Sequence, residues 1–214
     1  LVATILMVAG LSWLDPEITP LVPVLKSYWL TIHVSLEAGS YGFLVLGAII
    51  GVLNLLFMIF ANEKNRENVY RMVKELTCIS EMTLIGGLAM ISIGTYLGGV
   101  WANESWGRYW GWDAKETWAL VTILVYSFIL HMRFIPGLRG IYSFNVATLF
   151  GWASVMMTYF GVNYYLSGLH SYAAGDPVPV PPFIYYSVAV LTVLGVLAFW
   201  RHRWYLRLSG KDAI

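Results

Sequence analysis

Four histidines, a cluster of five tryptophans and two acids three residues apart are the groups in this 214-residue chain whose types and spacing suit chemistry. The tryptophans Trp101, Trp106, Trp110, Trp112 and Trp118 are half of the ten in the protein, and they fall within residues 101–118, WANESWGRYWGWDAKETW, among Gly107, Tyr109 and Gly111. An indole buries an apolar ring while keeping its N–H near water, so any one of them reads as a membrane-interface residue. Five together exceed what an interface belt needs. With the glycines, which let a backbone turn or approach closely, they read as an aromatic platform for a large flat ligand. His33 and His170 flank this stretch in the sequence. Either alone reads first as an interfacial histidine bonded to loop backbone, but two neutral imidazoles facing across a cavity beside such a platform can take both axial positions of a haem iron.

Asp113 and Glu116 have the spacing of a helix N-cap and its third residue ahead of an apolar run, so a capping box competes with catalysis as their explanation. Arg108 and Lys115, the cations of the stretch, can pair with the carboxylates of a haem or with Glu104, Asp113 and Glu116. His131 lies about 13 residues into the apolar run that begins near Trp118, roughly 20 Å along a helix. An ionisable group at that depth is costly and commonly functional, although Arg133 two residues on also lets it reach the inner interface. His202, in RHRW of a basic tail, reads as solvated and structural. Cys78 is the sole cysteine, which excludes an internal disulfide and a CxxC site, and it reads as a packing residue. The sequence offers neither a nucleophile and base set for hydrolysis nor a phosphate-binding glycine loop.

The elements that must position these groups are transmembrane helices. Hydrophobic residues make up 58% of the chain and charged ones 12%, with a formal net charge of +1 and a mean hydropathy of +0.67. That is an integral membrane composition, and without a basic stripe it gives no reason to expect nucleic acid. A bilayer core takes about 20 helical residues, which predicts spans over Ala38–Phe60, Thr83–Val100, Thr117–Phe134, Phe144–Leu166 and Phe183–Trp200. Tyr28–Glu37 reads as lying at or above the interface, and Asn62–Glu75 as a charged connector. Leu1–Leu14 reads as the end of a truncated first span, with Pro16, Pro20 and Pro23 marking a loop after it. Basic residues at Lys64–Lys74, Arg133–Arg139 and the C-terminal tail fall in alternate loops, which assigns them to the cytoplasm. His33, the tryptophan stretch and His170 then share the outer face. The expected fold is an all-α, polytopic helix bundle with an external tryptophan-rich loop, residues 1–214 forming one domain.

Taken together, Trp101-Ala102-Asn103-Glu104, Trp106-Gly107, Tyr109-Trp110, Trp112-Asp113 and Lys115-Glu116-Thr117-Trp118 resemble the WWD signature of the haem-handling proteins of cytochrome c biogenesis. The segments around His33 (LKSYWLTIHVSLEAGSYG), His131 (LHMR) and His170 (GVNYYLSGLHSY) also resemble the CcsA/ResC-like part of the System II cytochrome c synthases. The resemblance implies that His33 and His170 are the external haem ligands. Trp101, Trp106, Trp110, Trp112, Trp118, Asp113 and Arg108 would lie at the haem, and His131 would match one of two transmembrane haem histidines whose partner lies upstream of Leu1. It implies haem b as substrate and apocytochrome c as partner, along with a CcsB-like part and thiol-reducing proteins; the topology suits a bacterial plasma membrane or a thylakoid, of which the former is preferred. Ala114 departs from the family's usual proline, a residue suited to the first helical position, and this should loosen the helix start slightly. A haem transporter or chaperone without ligase activity, and a membrane b-type electron-transfer cytochrome, are the alternative readings. The latter should hold paired histidines inside its spans.

Overall fold

The computed structural model describes residues 27–166, 168–169 and 179–208. The expected span fragment and proline loop before residue 27, and His170, lie outside the described residues. Within them the chain is helical and contains no strand. Helix α1 is Tyr28–Phe60, capped by Ser27, whose side chain accepts from Trp29 N at 3.2 Å. Helix α2 is Arg66–Trp106, and α3 is Ala114–His131, continued by a short 3-10 turn over Met132–Phe134. Helix α4 is Ile141–Met156, leading through a π-helical turn over Met157–Gly161 into the single turn α5, Val162–Tyr165. Helix α6 is Pro182–Leu208, with proline at the first helical position, where its missing N–H costs nothing.

Four helices are long and apolar enough to cross a membrane: Tyr28–Phe60, Arg66–Trp106, Ala114–Phe134 and Pro182–Arg207. The remaining expected span, Phe144–Leu166, is not among these four; the chain there is helical but interrupted by the π turn. The connector predicted over residues 62–75 is helical from Arg66 onward, so it shrinks to the few residues between α1 and α2.

The side chains are distributed as a lipid surrounding requires. Ser40, Asn54, Thr122, Asn145, Thr148 and Thr158 are buried, whereas Phe43, Leu46, Ile49, Leu53, Ile85 and Leu124 face outward. With apolar lipid outside, helices gain little by hiding leucines and instead associate through close packing and interhelical hydrogen bonds. Both are present. Leu44 of α1 packs into the space over Gly87 of α2, and Leu84 of α2 into that over Gly47 of α1; an added Cβ would meet these leucines at 2.7 and 2.5 Å. Asn54 donates to Asn145 Oδ1 at 2.8 Å, and both amides bond Thr77 Oγ1, joining α1, α2 and α4.

Short linkers make successive helices antiparallel. The start of α1, the end of α2, the start of α3 and the π turn therefore meet at one end of the bundle. At the other end Arg133 pairs with Glu81, and Arg201 of α6 donates to the carbonyls of Ile59 and Ala61, satisfying the last turn of α1.

Candidate functional site

His33 lies near the start of α1, where Nδ1 is 2.7 Å from the Gly94 carbonyl of α2. A carbonyl oxygen only accepts, so Nδ1 carries a hydrogen, and in the neutral ring the lone pair falls on Nε2. Gly98, one turn along α2, admits the ring: a Cβ there would stand 2.6 Å from His33 Cε1 and 2.7 Å from Nδ1. One turn along α1, the buried Glu37 holds Oε1 4.0 Å from the same Nδ1. Its carboxylate accepts from Thr95 Oγ1 at 3.0 Å and from the Tyr41 hydroxyl at 3.5 Å. A carbonyl or carboxylate on the far nitrogen is how metal-binding histidines are generally oriented.

The tryptophan stretch is less of a loop than its composition predicts. Helix α2 continues through Trp106 and ends where Gly107 takes a left-handed conformation, φ 72°, its N–H bonding Asn103 O at 2.9 Å. Trp101 and Trp106 are therefore helical residues, and the connection to α3 is residues 107–113. Trp101 is 1% exposed and meets Trp106 edge-on with centroids 4.7 Å apart. Trp110 and Trp112 form a second perpendicular pair at 5.7 Å. Trp112 is 70% exposed and holds φ at 57°, the one non-glycine residue with positive φ among the described residues.

The capping box expected of Asp113 and Glu116 is present: Asp113 Oδ2 accepts from Lys115 N at 3.2 Å, and Glu116 Oε2 from Asp113 N at 3.2 Å. Glu116 does more than close the box. It also accepts from Gly111 N at 2.8 Å and from Arg108 Nη1 at 3.0 Å, which fastens the loop and engages Arg108. Asp113 Oδ1 accepts from the N–H of Leu169 at 2.7 Å. Nothing local in the sequence signals that bond.

These elements enclose a cavity of about 200 Å³. Its walls are His33, Glu37 and Tyr41 of α1, Trp101 of α2, Tyr109 and Trp110 of the loop, Lys115 of α3, and Tyr159 of the π turn. Of the residues singled out from sequence, His33, Trp101, Trp110, Lys115 and Glu116 line it together. Trp106 packs behind Trp101, and Trp112 faces outward. Trp118 is half-buried on α3, its carbonyl accepting from Thr158 Oγ1 at 3.0 Å. Glu37 is not among the residues singled out from the sequence, although it is the sole acid in the otherwise apolar run of α1, the kind of residue that marks function inside a membrane.

At the opposite end, His131 is exposed, with Nδ1 2.7 Å from Ser127 O. His202 is not solvated as expected. It is half-buried in α6, stacked between Tyr70 and Tyr142 at 5.9 and 5.7 Å, and bonded to the Tyr70 hydroxyl at 2.8 Å. The expectation that Cys78 packs internally also fails, since its side chain is exposed on α2. Hydropathy does not separate a lipid-facing residue from a core one when a helix is apolar all round. Among the described residues no group of three or more His, Cys, Asp or Glu is arranged to hold a metal ion.

Residues 1–170 match the model of the cytochrome C assembly protein family. The chain belongs to this family. It is 52% identical over 171 residues to protein NrfI of Wolinella succinogenes, covering 80% of this chain and 19% of that protein. It is 40% identical over 157 residues to the cytochrome c biogenesis protein CcsA of Chlamydomonas reinhardtii, covering 73% of this chain and 44% of that one. Against the CcsA protein of Guillardia theta it is 38% identical over 171 residues, 72% and 56% of the two chains. The matched region of this cytochrome c assembly protein thus spans about a fifth of NrfI and about half of those CcsA proteins. The resemblance of the WWD stretch to cytochrome c biogenesis proteins agrees with this membership, as does the multi-pass helical fold.

Proposed function

We propose that this cytochrome c assembly protein takes haem as a substrate between His33 and His170, holds it at the outer membrane face and promotes its covalent attachment to the C-x-x-C-H segment of an apocytochrome c. The observation that carries the reading is the His33 ring, whose Nδ1 is held by Gly94 O, which in the neutral ring puts the lone pair on Nε2, and which is seated against Gly98 at an aromatic-walled cavity. An imidazole in that tautomer is the donor a haem iron takes. The cavity, about 200 Å³, is smaller than the roughly 300–1,000 Å³ that encloses a whole drug-sized ligand. Haem therefore enters by one edge, between Trp101, Tyr109 and Trp110, with its remainder over the loop and exposed to the incoming chain.

The incoming histidine replaces one axial imidazole. Each cysteine thiol then adds across a vinyl group, sulfur to one carbon and hydrogen to the other, so the addition consumes no oxidant or reductant. The cysteines must arrive reduced, which is the need for a CcsB-like part and thiol-reducing proteins. The chain's own contribution is to hold, orient and release. His131, exposed at the other end of α3, would serve an inner haem stop. The basic end of the bundle, with Arg66, Arg133 and Arg201, faces the cytoplasm on the positive-inside tendency, and the cavity end faces outward from a bacterial plasma membrane.

The test is the visible absorption spectrum of detergent-purified protein, wild type beside His33→Ala and His170→Ala, followed by co-expression with an apocytochrome c in cells lacking other maturation proteins. Haem in the wild type whose ligation changes in both variants, with covalent cytochrome formed, supports the reading. No haem in the wild type overturns it. Haem without covalent product leaves a haem carrier and removes the synthase activity.

A further inference from the structure

Two cations border the tryptophan loop, and the structure separates them. The Arg108 guanidinium is committed to Glu116 at 3.0 Å and lies 5.7 Å from the centroid of the Trp106 ring. Lys115, in the first turn of α3, lines the cavity with His33 and Trp110. Its backbone N–H is taken by Asp113, but its ammonium has neither a hydrogen bond nor a carboxylate within 4.0 Å among the described residues. The acids whose charge reaches it are Glu37 and Asp113. Each is engaged elsewhere: Glu37 by Thr95 and Tyr41, and Asp113 by the N–H groups of Lys115 and Leu169. A half-buried ammonium without an ion-pair partner, facing an aromatic cavity beside a metal-ligating type of imidazole, is placed to receive an anion carried by the ligand of that imidazole.

We propose that Lys115, rather than Arg108, is the anchor for a carboxylate of the bound ligand, a haem propionate if the reading above holds, and so fixes which edge of the tetrapyrrole enters the cavity. The assignment rests on the haem reading and extends it to orientation: the carboxylate edge turns inward to Lys115 and the vinyl edge outward.

Detergent-purified wild type, Lys115→Gln, Lys115→Arg and Arg108→Gln are titrated with haem and with haem dimethyl ester, in which both propionates are esterified, and followed by the Soret band. Wild type should prefer haem over the ester by roughly ten- to hundredfold, the range of one charge-assisted bond. Lys115→Gln should bind haem more weakly by a similar factor and lose the preference, while binding the ester as wild type does, which shows that it is folded. Lys115→Arg should restore most of the preference, and Arg108→Gln should keep it. A Lys115→Gln protein that still prefers haem, or an Arg108→Gln protein that does not, overturns the assignment while leaving haem binding through His33 intact. A wild type that binds neither ligand removes the haem reading and this one with it.

Discussion

Leu169 donates its backbone N–H to Asp113 Oδ1 at 2.7 Å across 56 positions of sequence. The same carboxylate caps α3 through its other oxygen, so one side chain fixes both the start of a helix and the backbone next to His170 in sequence. Closure over so long a separation is entropically costly, and the contacts that meet the cost become structural control points.

Asp113→Ala should therefore lose two interactions at once. Loss of the cap alone costs about 1 kcal/mol, and loss of a bond from a backbone N–H to a charged acceptor adds about 1.5–3 kcal/mol. Asp113→Asn keeps a good capping side chain, with an amide oxygen for one of the two bonds, and should fall midway. Thermal unfolding in detergent checks the order wild type, Asn, Ala. Equal midpoints for all three would mean that the Leu169 tie carries no stability.

Gly98→Ala tests the seat of His33. The added methyl would stand 2.6 Å from Cε1, so the imidazole must leave its position and its bond to Gly94 O. Gly42→Ala, on the same face-crowded helix pair but with nothing within 4 Å of an added Cβ, is the matched control. The expected outcome is a shifted Soret band or lost haem in Gly98→Ala only, with both proteins helical by circular dichroism. An unchanged spectrum in Gly98→Ala would detach the ring's position from haem ligation.

Trp112 is held at φ 57° with its indole exposed. A bulky residue in the left-handed region costs of order 1–3 kcal/mol and persists where something else requires it. Trp112→Gly should leave stability unchanged or raise it by about 1 kcal/mol or less, and at the same time lower haem occupancy. A loss of both stability and haem would instead make the indole a packing residue.

What the sequence made legible was local. The Asp113–Glu116 capping box is set by a spacing of three, and the four long membrane-spanning helices follow from long apolar runs. What it hid depends on three-dimensional context. The aromatic composition of residues 101–118 is continuous, yet the helix inside it ends at Gly107, where the backbone turns left-handed. Arg108 and Lys115 look interchangeable in sequence and face different partners in the fold. Glu37 was visible as the lone acid of α1, but its relation to His33 needs the opposing carbonyl of Gly94 before it has meaning. The π turn at Met157–Gly161, which brings Tyr159 to the cavity, leaves no compositional trace.

The last prediction concerns the polar knot far from the cavity. Asn54, Thr77 and Asn145 bond one another between α1, α2 and α4 at 2.8–3.3 Å, and both asparagines are 0% exposed. In a lipid surrounding the separated helices would carry these amides at a cost, yet such bonds are worth only about 0.6–2 kcal/mol each, because polar groups in unfolded helices also find partners. Asn145→Ala removes bonds to Asn54, to Thr77 and to Ile141 O, and it leaves the Asn54 amide with Thr77 Oγ1 alone. Asn54→Ala does the converse. Because each single change already removes the shared Asn54–Asn145 bond, the double variant should be less destabilised than the sum of the singles, with a coupling of about 0.5–2 kcal/mol. A double-mutant cycle on unfolding midpoints measures it, and strict additivity would mean that the two asparagines act independently despite their geometry. Haem occupancy should survive each variant that stays folded, since neither residue lines the cavity, and that separates bundle assembly from the work done at His33.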